Sequence, residues 1–596
     1  MKQSLNERLR QTLTMMLALI VVVYHLYLIF TGLIPNLVSR PIHLALALPW
    51  VFMINIRETG WRRFIGYSLG GVGIYGCLYI AFYRDTIVEQ YGFLEGTQQY
   101  VIAVGLIVIV LEMARRAIKL ALPLVAVIAL LYGFLGQHLP GEFGHPGLPV
   151  GSLLGTLVIA EGGLWGPLTG VSVNVVAVFV ILGAFINAGE GGRAFMALAT
   201  KLAGKLRAGP AKVSVLSSAF FGSISGSASA NVASTGAVTI PAMKKLGCPA
   251  SFAASVEAVA SSGGQIMPPL MGAGAFVMME LLRVNYTTIM SAAILPALLF
   301  FFAAWVGVDQ YAKRYDLKGM NSDEIPSSHE VLRLAPFFLI PFGLLLGILF
   351  LTGRTPQYGA GVAIFSACLL LLFNERLAFS FKIFSARFQN ALISAAGQIA
   401  VIAAIIICAG LIIGVLQMTG LGVKVTSVII ALAGGNVLLA LFLTAFACLI
   451  LGMEVPTTAA YVICIAVAGP ALEKLGLPAL HVHLFVFWYA LLSTITPPVC
   501  GTVFIAAGMA GASWVAVASH AMRLGLGLYL VPLAFIANPA LIHPQDSFIL
   551  AMTAAVKIGL GLWLISRCLI GGLTQSWRSP LELIIGIGVI FLFGIG

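Results

Sequence analysis

Apolar runs about twenty residues long, the length that carries a helix across a hydrocarbon core, recur from one end of this chain to the other. In lipid such a run has one backbone solution, the α-helix, because each N–H and C=O must find its partner inside the segment. By the length criterion there are roughly fourteen spanning or half-spanning segments. Of 596 residues, 60% are hydrophobic and 9% charged, against roughly 25% charged in a soluble domain. The expected fold class is therefore an all-α polytopic membrane protein.

The net charge of +12 does not indicate nucleic acid. The lysines and arginines sit in short loops between apolar runs, as the positive-inside rule requires. The eight cysteines are scattered, without CxxC or Cys/His metal spacing, and read as small apolar residues. The stretch Met1–Val23 has the charge of a signal peptide, but its apolar run continues to about Ile34 without a small-residue cleavage site. It reads as a retained first helix.

Charge orients the spans. Lys2, Arg8 and Arg10 precede the first, Arg57, Arg62 and Arg63 follow the second, and Arg115, Arg116 and Lys119 follow the fourth. Basic clusters thus fall at every second loop, which puts the N-terminus in the cytoplasm. Four spans over about 11–114 form one unit. A fifth, about 117–136, leads to a periplasmic loop with His138, Glu142 and His145. Segment 171–189 returns to a basic, amphipathic stretch (Arg193, Lys201, Lys205, Arg207, Lys212) expected at the cytoplasmic interface. A long polar loop from Asp309 to Glu330 and a basic segment from Arg376 to Arg387 are expected on the same side. Glu161 and Glu190 read as interfacial.

An internal repeat organises the rest. Pro241-Ala-Met-Lys-Lys-Leu-Gly-Cys-Pro-Ala250 matches Pro470-Ala-Leu-Glu-Lys-Leu-Gly-Leu-Pro-Ala479, 229 residues later. At the same offset Ile266-Met-Pro-Pro269 matches Ile495-Thr-Pro-Pro498, and Gly272 matches Gly501. Upstream the offset is 230, for Leu202-Ala-Gly204 with Leu432-Ala-Gly434 and Gly222 with Gly452. Each copy carries an interfacial helix, an apolar run split at small polar residues, and a helix broken at Pro-Pro. Each half of the split run is about a dozen residues, too short to span, which suggests a re-entrant hairpin. The first interfacial helix is basic; its counterpart, about 422–434, carries only Lys424. The two hairpins are therefore expected to enter from opposite sides, the inverted repeat of secondary transporters with a midplane site.

The hairpin turns read Gly222-Ser-Ile-Ser-Gly-Ser-Ala-Ser-Ala-Asn231 and Gly452-Met-Glu-Val-Pro-Thr-Thr458, and the facing breaks Ser261-Ser-Gly-Gly-Gln-Ile-Met-Pro-Pro269 and Ser493-Thr-Ile-Thr-Pro-Pro498. Broken helices expose N–H groups suited to a carboxylate and carbonyls suited to a cation. Gly/Ser/Ala runs also serve close packing alone; the paired Pro-Pro breaks favour a transport site. Two intramembrane acids, Glu257 and Glu454, are candidates for ion coupling. Gln265, with donor and acceptor, suits a substrate hydrogen bond. His481 and His483 lack further ligands and read as interfacial.

The stretches ISGSASANVASTGAVTIP and EAVASSGGQIMPPLMGAGAF, with GMEVPTTAAY and STITPPVCGT, resemble the large membrane subunit of tripartite ATP-independent periplasmic (TRAP) transporters, in wording most like the TAXI subgroup. The resemblance implies a small-subunit-like four-helix domain at 1–115 fused to a permease at 116–596, with inverted repeats about 171–285 and 398–515 and extra helices about 548–596. It also implies an elevator-type transport domain on a scaffold and uptake of a small organic acid, a dicarboxylate such as 2-oxoglutarate or a glutamate-like acid. The partner is a periplasmic TAXI-type binding protein, and the working unit a monomer in the inner membrane. Substrate contacts fall on Ser227, Asn231, Gln265, Pro268, Thr457, Thr458 and Thr496. Ion coupling falls on Ser225, Ser261, Ser262, Gly263, Glu257, Glu454, Ser493 and Thr494. No cofactor is implied beyond sodium ions. An acid at Glu454, where the subgroup often has a small residue, points toward protons.

Other classes fit less well. A stand-alone carboxylate carrier would not need the four-helix unit. An intramembrane enzyme would need HExxH, GxSxG or a Ser-His pairing, and a primary pump a P-loop; the chain offers none of these.

Overall fold

The computed structural model describes residues 5–31, 34–54, 60–452, 455–498, 500–571 and 578–591. Among them there is no strand, only an isolated bridge between Phe373 and Phe379. Nine helices among the described residues are long and apolar enough to cross a membrane, and seven apolar helices are shorter. The polytopic, all-helical expectation holds.

In chain order the helices are α1 (Leu5–Thr31), α2 (Asn36–Pro49, continued as a π-turn to Ile54), α3 (Trp61–Phe82), α4 (Arg84–Glu89), α5 (Gly96–Ile118), α6 (Ala121–Leu135), α7 (Val150–Val158), α8 (Pro167–Val171) and α9 (Ala177–Ala188). Next come α10 (Gly191–Ala203), α11 (Gly209–Ser225), α12 (Ala228–Lys245), α13 (Ala250–Gly263), α14 (Gly272–Leu282), α15 (Tyr286–Arg314) and α16 (Ser328–Leu334). They are followed by α17 (Pro336–Leu351), α18 (Pro356–Leu370), α19 (Phe381–Thr419), α20 (Leu421–Ala433), α21 (Val437–Leu451) and α22 (Thr457–Lys474). The last are α23 (Ala479–Leu492), α24 (Gly501–Ala510), α25 (Trp514–Leu524), α26 (Leu526–Ala537), α27 (Phe548–Gly571) and α28 (Arg578–Phe591).

The helix boundaries reproduce the sequence repeat. Helices α12 and α22, and α13 and α23, begin and end 229 residues apart, while α10 and α20 do so at 230. The hairpin arms are longer than the dozen residues expected: α11 has 17 and α12 has 18. Helix α12 runs through Pro241, forgoing one ladder bond there. The polar loop expected from Asp309 begins later, because α15 continues to Arg314. Asp309 is held by Lys212 at 2.8 Å and Lys313 at 3.0 Å, and the basic last turn suits the helix C-terminus.

The chain divides into two compact units. The first comprises 1–189, 339–440 and 458–475. Its mast is α19, 39 residues long or about 58 Å at 1.5 Å per residue, and α1, α2, α5, α6 and α9 pack against it. A buried polar chain ties α1 and α2 to the π-turn Ser172–Val176. His25 Nδ1 lies 2.7 Å from the Val21 carbonyl, His25 Nε2 lies 2.8 Å from His43 Nδ1, and His43 Nε2 lies 3.0 Å from Ser172 Oγ. The carbonyl can only accept, so His25 is protonated at Nδ1 and His43 donates to it. Arg40 donates to the Trp165 carbonyl and, at 3.2 Å, to Glu161, which is half-exposed. Lys424 on α20 donates to the Gly144 carbonyl at 2.6 Å, joining two segments the charge pattern assigns to the same side.

The second unit comprises 190–338, 441–457 and 476–596. Here α10 packs against α11 and α16, and the Met320 amide donates to the Gly204 carbonyl at 2.8 Å. Asn538 donates to Ile590 O at 3.1 Å and accepts from Lys557 at 2.6 Å, docking α27 and α28. His481 and His483, expected at the interface, are buried, because α23 is buried from His481 through Leu492. Glu190 is likewise buried, 3.3 Å from Arg193.

Candidate functional site

The second unit brings together the first hairpin and both broken helices. The hairpin turns at Gly226, whose φ of +58° closes α11, a conformation side chains with a Cβ resist. Ser227 then caps α12 by accepting from the Ala230 amide at 3.3 Å and stands exposed. Glycines press the hairpin onto the first break. A Cβ on Gly222 would collide with Gly264 Cα, and one on Gly226 would lie 2.9 Å from Gly272 Cα. Close packing therefore accounts for part of the small-residue pattern. Gly263 is similarly blocked by the Phe300 ring.

Each broken helix has an arm of 14 residues, an interruption, and an arm of 11 or 10 residues. Neither short arm could span alone, at about 16 Å. Helix α13 packs against α24, and α14 against α23, so each long arm meets the short arm of the other copy. The Pro268-Pro269 and Pro497-Pro498 bonds are both cis.

Two polar clusters result. In the first, Thr494 Oγ1 lies 2.9 Å and Thr502 Oγ1 3.3 Å from Ser262 Oγ. Ser262 also bonds the Ala258 carbonyl at 2.8 Å and Thr502 the Thr494 carbonyl at 2.8 Å. Thr496 reaches the Tyr529 hydroxyl at 3.0 Å. Ser493 is buried against the Ala490 carbonyl, 2.7 Å away. Gln265 and Pro268 are half-buried at the first break.

The second cluster surrounds Glu257, which is fully buried. Ser214 donates to Oε2 at 2.8 Å, Ser261 to Oε1 at 2.9 Å and Ser218 to Oε1 at 3.2 Å. Thr235 and Thr239 also hydrogen-bond the carboxylate, through Oε1 and Oε2 respectively. Asn231 sits beside this cage, donating to the Ser218 carbonyl at 3.0 Å. A buried acid is tolerated only where its oxygens are satisfied, and here three helices supply hydroxyls. Sequence reasoning picked out Glu257 and Ser261 but missed Ser214, Ser218, Thr235 and Thr239. Their signal was spacing: Ser214 and Ser218, Thr235 and Thr239, and Glu257 and Ser261 are each four residues apart, one helical face.

Thr457 is buried at the start of α22 in the second unit, while Thr458 belongs to the first. Ser225 ends α11, and Glu454 lies outside the described residues. Among the described residues no group of three or more His, Cys, Asp or Glu could hold a metal ion.

Residues 104–545 match the family model described as Tripartite ATP-independent periplasmic transporter, DctM component. The chain is 26% identical over 337 residues to the isethionate TRAP transporter permease protein DctMQ of Oleidesulfovibrio alaskensis, covering 56% of this chain and 52% of that protein. It is 27% identical over 201 residues to the C4-dicarboxylate TRAP transporter large permease protein DctM of Pseudomonas aeruginosa, covering 33% of this chain and 46% of that protein. The chain thus spans about half the length of these two relatives. Because the family model covers most of the chain, including the first hairpin and both broken helices, the chain belongs to the DctM-component family of tripartite ATP-independent periplasmic transporters.

Proposed function

We propose that this chain is the membrane permease of a secondary transporter that takes up a small organic acid, delivered by a soluble periplasmic binding protein and driven by a proton or sodium gradient. The observation that carries the reading is the pairing of two Pro-Pro-broken helices at Ser262, Thr494 and Thr502, beside a re-entrant hairpin, in a chain of this family. Interrupted helices from two copies of a repeat supply N–H ends for a carboxylate and carbonyls for a cation. The substrate class is a dicarboxylate such as 2-oxoglutarate or a glutamate-like acid. The names of the relatives, an isethionate and a C4-dicarboxylate system, support an organic anion.

In this reading residues 1–115 act as a fused small subunit, which the name DctMQ of one relative supports, and the motif wording supports a TAXI-type partner. The N-terminus is cytoplasmic, the protein lies in the inner membrane as a monomer, and alternating access is of the elevator type. Substrate contacts are drawn from Ser227, Asn231, Gln265, Pro268, Thr457, Thr458 and Thr496, and coupling from the Glu257 and Glu454 regions with the Ser262–Thr494 cluster.

The test is competition. Uptake of labelled 2-oxoglutarate by cells expressing the permease with its binding protein is challenged by unlabelled dicarboxylates, sulfonates, sugars and neutral amino acids. Competition by acids alone supports the substrate class; competition by sugars or neutral amino acids contradicts it.

A further inference from the structure

Glu257 sits where three helices of the second unit converge, and five hydroxyls contact its carboxylate. A hydroxyl carries one proton and can accept as well as donate. Two of the five also reach a backbone carbonyl: Thr235 Oγ1 lies 2.8 Å from the Asn231 carbonyl, and Thr239 Oγ1 lies 3.0 Å from the Thr235 carbonyl. Such bonds to the carbonyl four residues back are ordinary for threonine in a helix. The cage can therefore satisfy either form of the acid. When Glu257 is ionised, the hydroxyls turn toward it. When it is protonated, Thr235 and Thr239 turn to their backbone carbonyls, and one accepts the carboxyl proton. No heavy atom needs to move.

The second observation is a route. Thr239 also lines a cavity of about 450 Å³ bounded by Arg193, Thr200, Asp323, Glu324 and Glu330. The segment contributing the three acids lies on the side that the charge pattern puts in the cytoplasm. We infer that Glu257 is a proton-binding site of the transport domain, exchanging its proton with water in this cavity through the Thr239 hydroxyl. In release, the carboxyl proton passes to Thr239 Oγ1 as that hydroxyl yields its own proton to a cavity water. Glu257 loses one proton, water gains one, and Thr239 is unchanged. Loading runs the same transfer backward.

No charged side chain is hydrogen-bonded to Glu257 among the described residues. Most charged and titratable groups on the helices packed against α13 are engaged elsewhere. Lys212 on α11 bonds Asp309 on α15 at 2.8 Å, and Lys313 bonds the same carboxylate. On α12, Lys244 bonds the Ala510 carbonyl at 2.9 Å and Lys245 bonds Glu324 at 2.6 Å. His520 on α25 packs edge-on against Phe252 and Tyr311, the latter stacked on Tyr315. Tyr286 on α15 donates to the Pro269 carbonyl at 2.5 Å, Arg314 lies over the Tyr315 ring, Arg523 lies in the last turn of α25, and α24 carries no charged residue. The five hydroxyls are thus the groups that answer a change of charge on Glu257.

This inference rests on the transporter reading for its role in coupling, but the site itself is testable without substrate. Infrared titration of the purified full chain in nanodiscs should show a protonated-carboxyl band that rises on acidification and is missing from Glu257→Gln. The band should exchange with deuterated water quickly in the wild type and more slowly in Thr239→Val. A wild type without such a band at any pH, a band that persists in Glu257→Gln, or unchanged exchange in Thr239→Val would overturn the inference. In proteoliposomes with the binding protein and 2-oxoglutarate, Glu257→Gln should lose uptake driven by a pH gradient; retained uptake would also overturn it. A titrating band in a wild type that moves no substrate would strike at the transporter reading and support the proton site.

Discussion

Ser262 and Thr494 are 232 residues apart in the chain, and their hydroxyls are 2.9 Å apart in the folded protein. Ser262 lies in the last turn of the first copy's long arm, and Thr494 lies just past the end of the second copy's. Thr502, at the start of the other copy's short arm, completes the contact. The two interruptions are thus held together by side chains that carry no charge.

That contact predicts a measurable coupling. Ser262→Ala and Thr494→Val should each destabilise the protein by about 1 kcal/mol, and the double variant by less than the sum, because both remove one shared hydrogen bond. Equilibrium unfolding in mixed micelles reads this directly. Strict additivity would mean that the bond contributes nothing.

Glycine contacts in the hairpin predict a sharper effect. A Cβ on Gly222 would strike the Gly264 backbone and lie 3.0 Å from Asn231 Nδ2. Gly222→Ala should therefore cost about 1–3 kcal/mol through overpacking. Gly343→Ala meets nothing within 4 Å and should stay within about 0.5 kcal/mol of wild type. Equal effects at the two sites would contradict the backbone contact.

The ion pair between Lys245 and Glu324, 2.6 Å across, predicts an acid-sensitive loop. The Lys245 ammonium holds the exposed Glu324 carboxyl below its ordinary value of 4.5. A depressed carboxylate contributes stability that is fully present above its unfolded value and lost as pH falls through the folded one. Amide exchange over 320–327 should be steady from neutral to mildly acidic pH and rise only below the ordinary carboxylate range. Lys245→Met should remove that acid step; an unaltered step would assign it to another group.

Inverted topology predicts opposite sidedness for equivalent positions. Lys245 and Lys474 occupy the same place in the two copies, at the ends of α12 and α22, and both are exposed. A cysteine at Lys245 should react with a membrane-impermeant maleimide from the cytoplasmic side, and one at Lys474 from the periplasmic side. Labelling of both from one side would make the repeat parallel.

Much of the architecture was legible because membrane helices must satisfy their own backbone. The apolar runs, the Pro-Pro breaks and the KLGxP repeat already located α10 to α14 and α20 to α24. The turn at Gly226 and the restart at Gly272 were marked by glycine. Helix lengths were less legible: α12 absorbs Pro241 and α15 absorbs Asp309 through Lys212, a partner 97 residues away. The burial of His481 and Glu190 depends on neighbouring helices, which loop charge does not report. The cage around Glu257 was half legible. The acid was visible, but its hydroxyls come from three helices and needed the fold to bring them together.

Transport is read most directly in proteoliposomes loaded with the purified full chain, as uptake of labelled 2-oxoglutarate with and without the binding protein under an inward proton or sodium gradient. For a gradient-driven permease fed by a binding protein, accumulation should require the binding protein and collapse when the driving gradient is dissipated. Accumulation that ignores both the binding protein and the gradients would rule out such a permease.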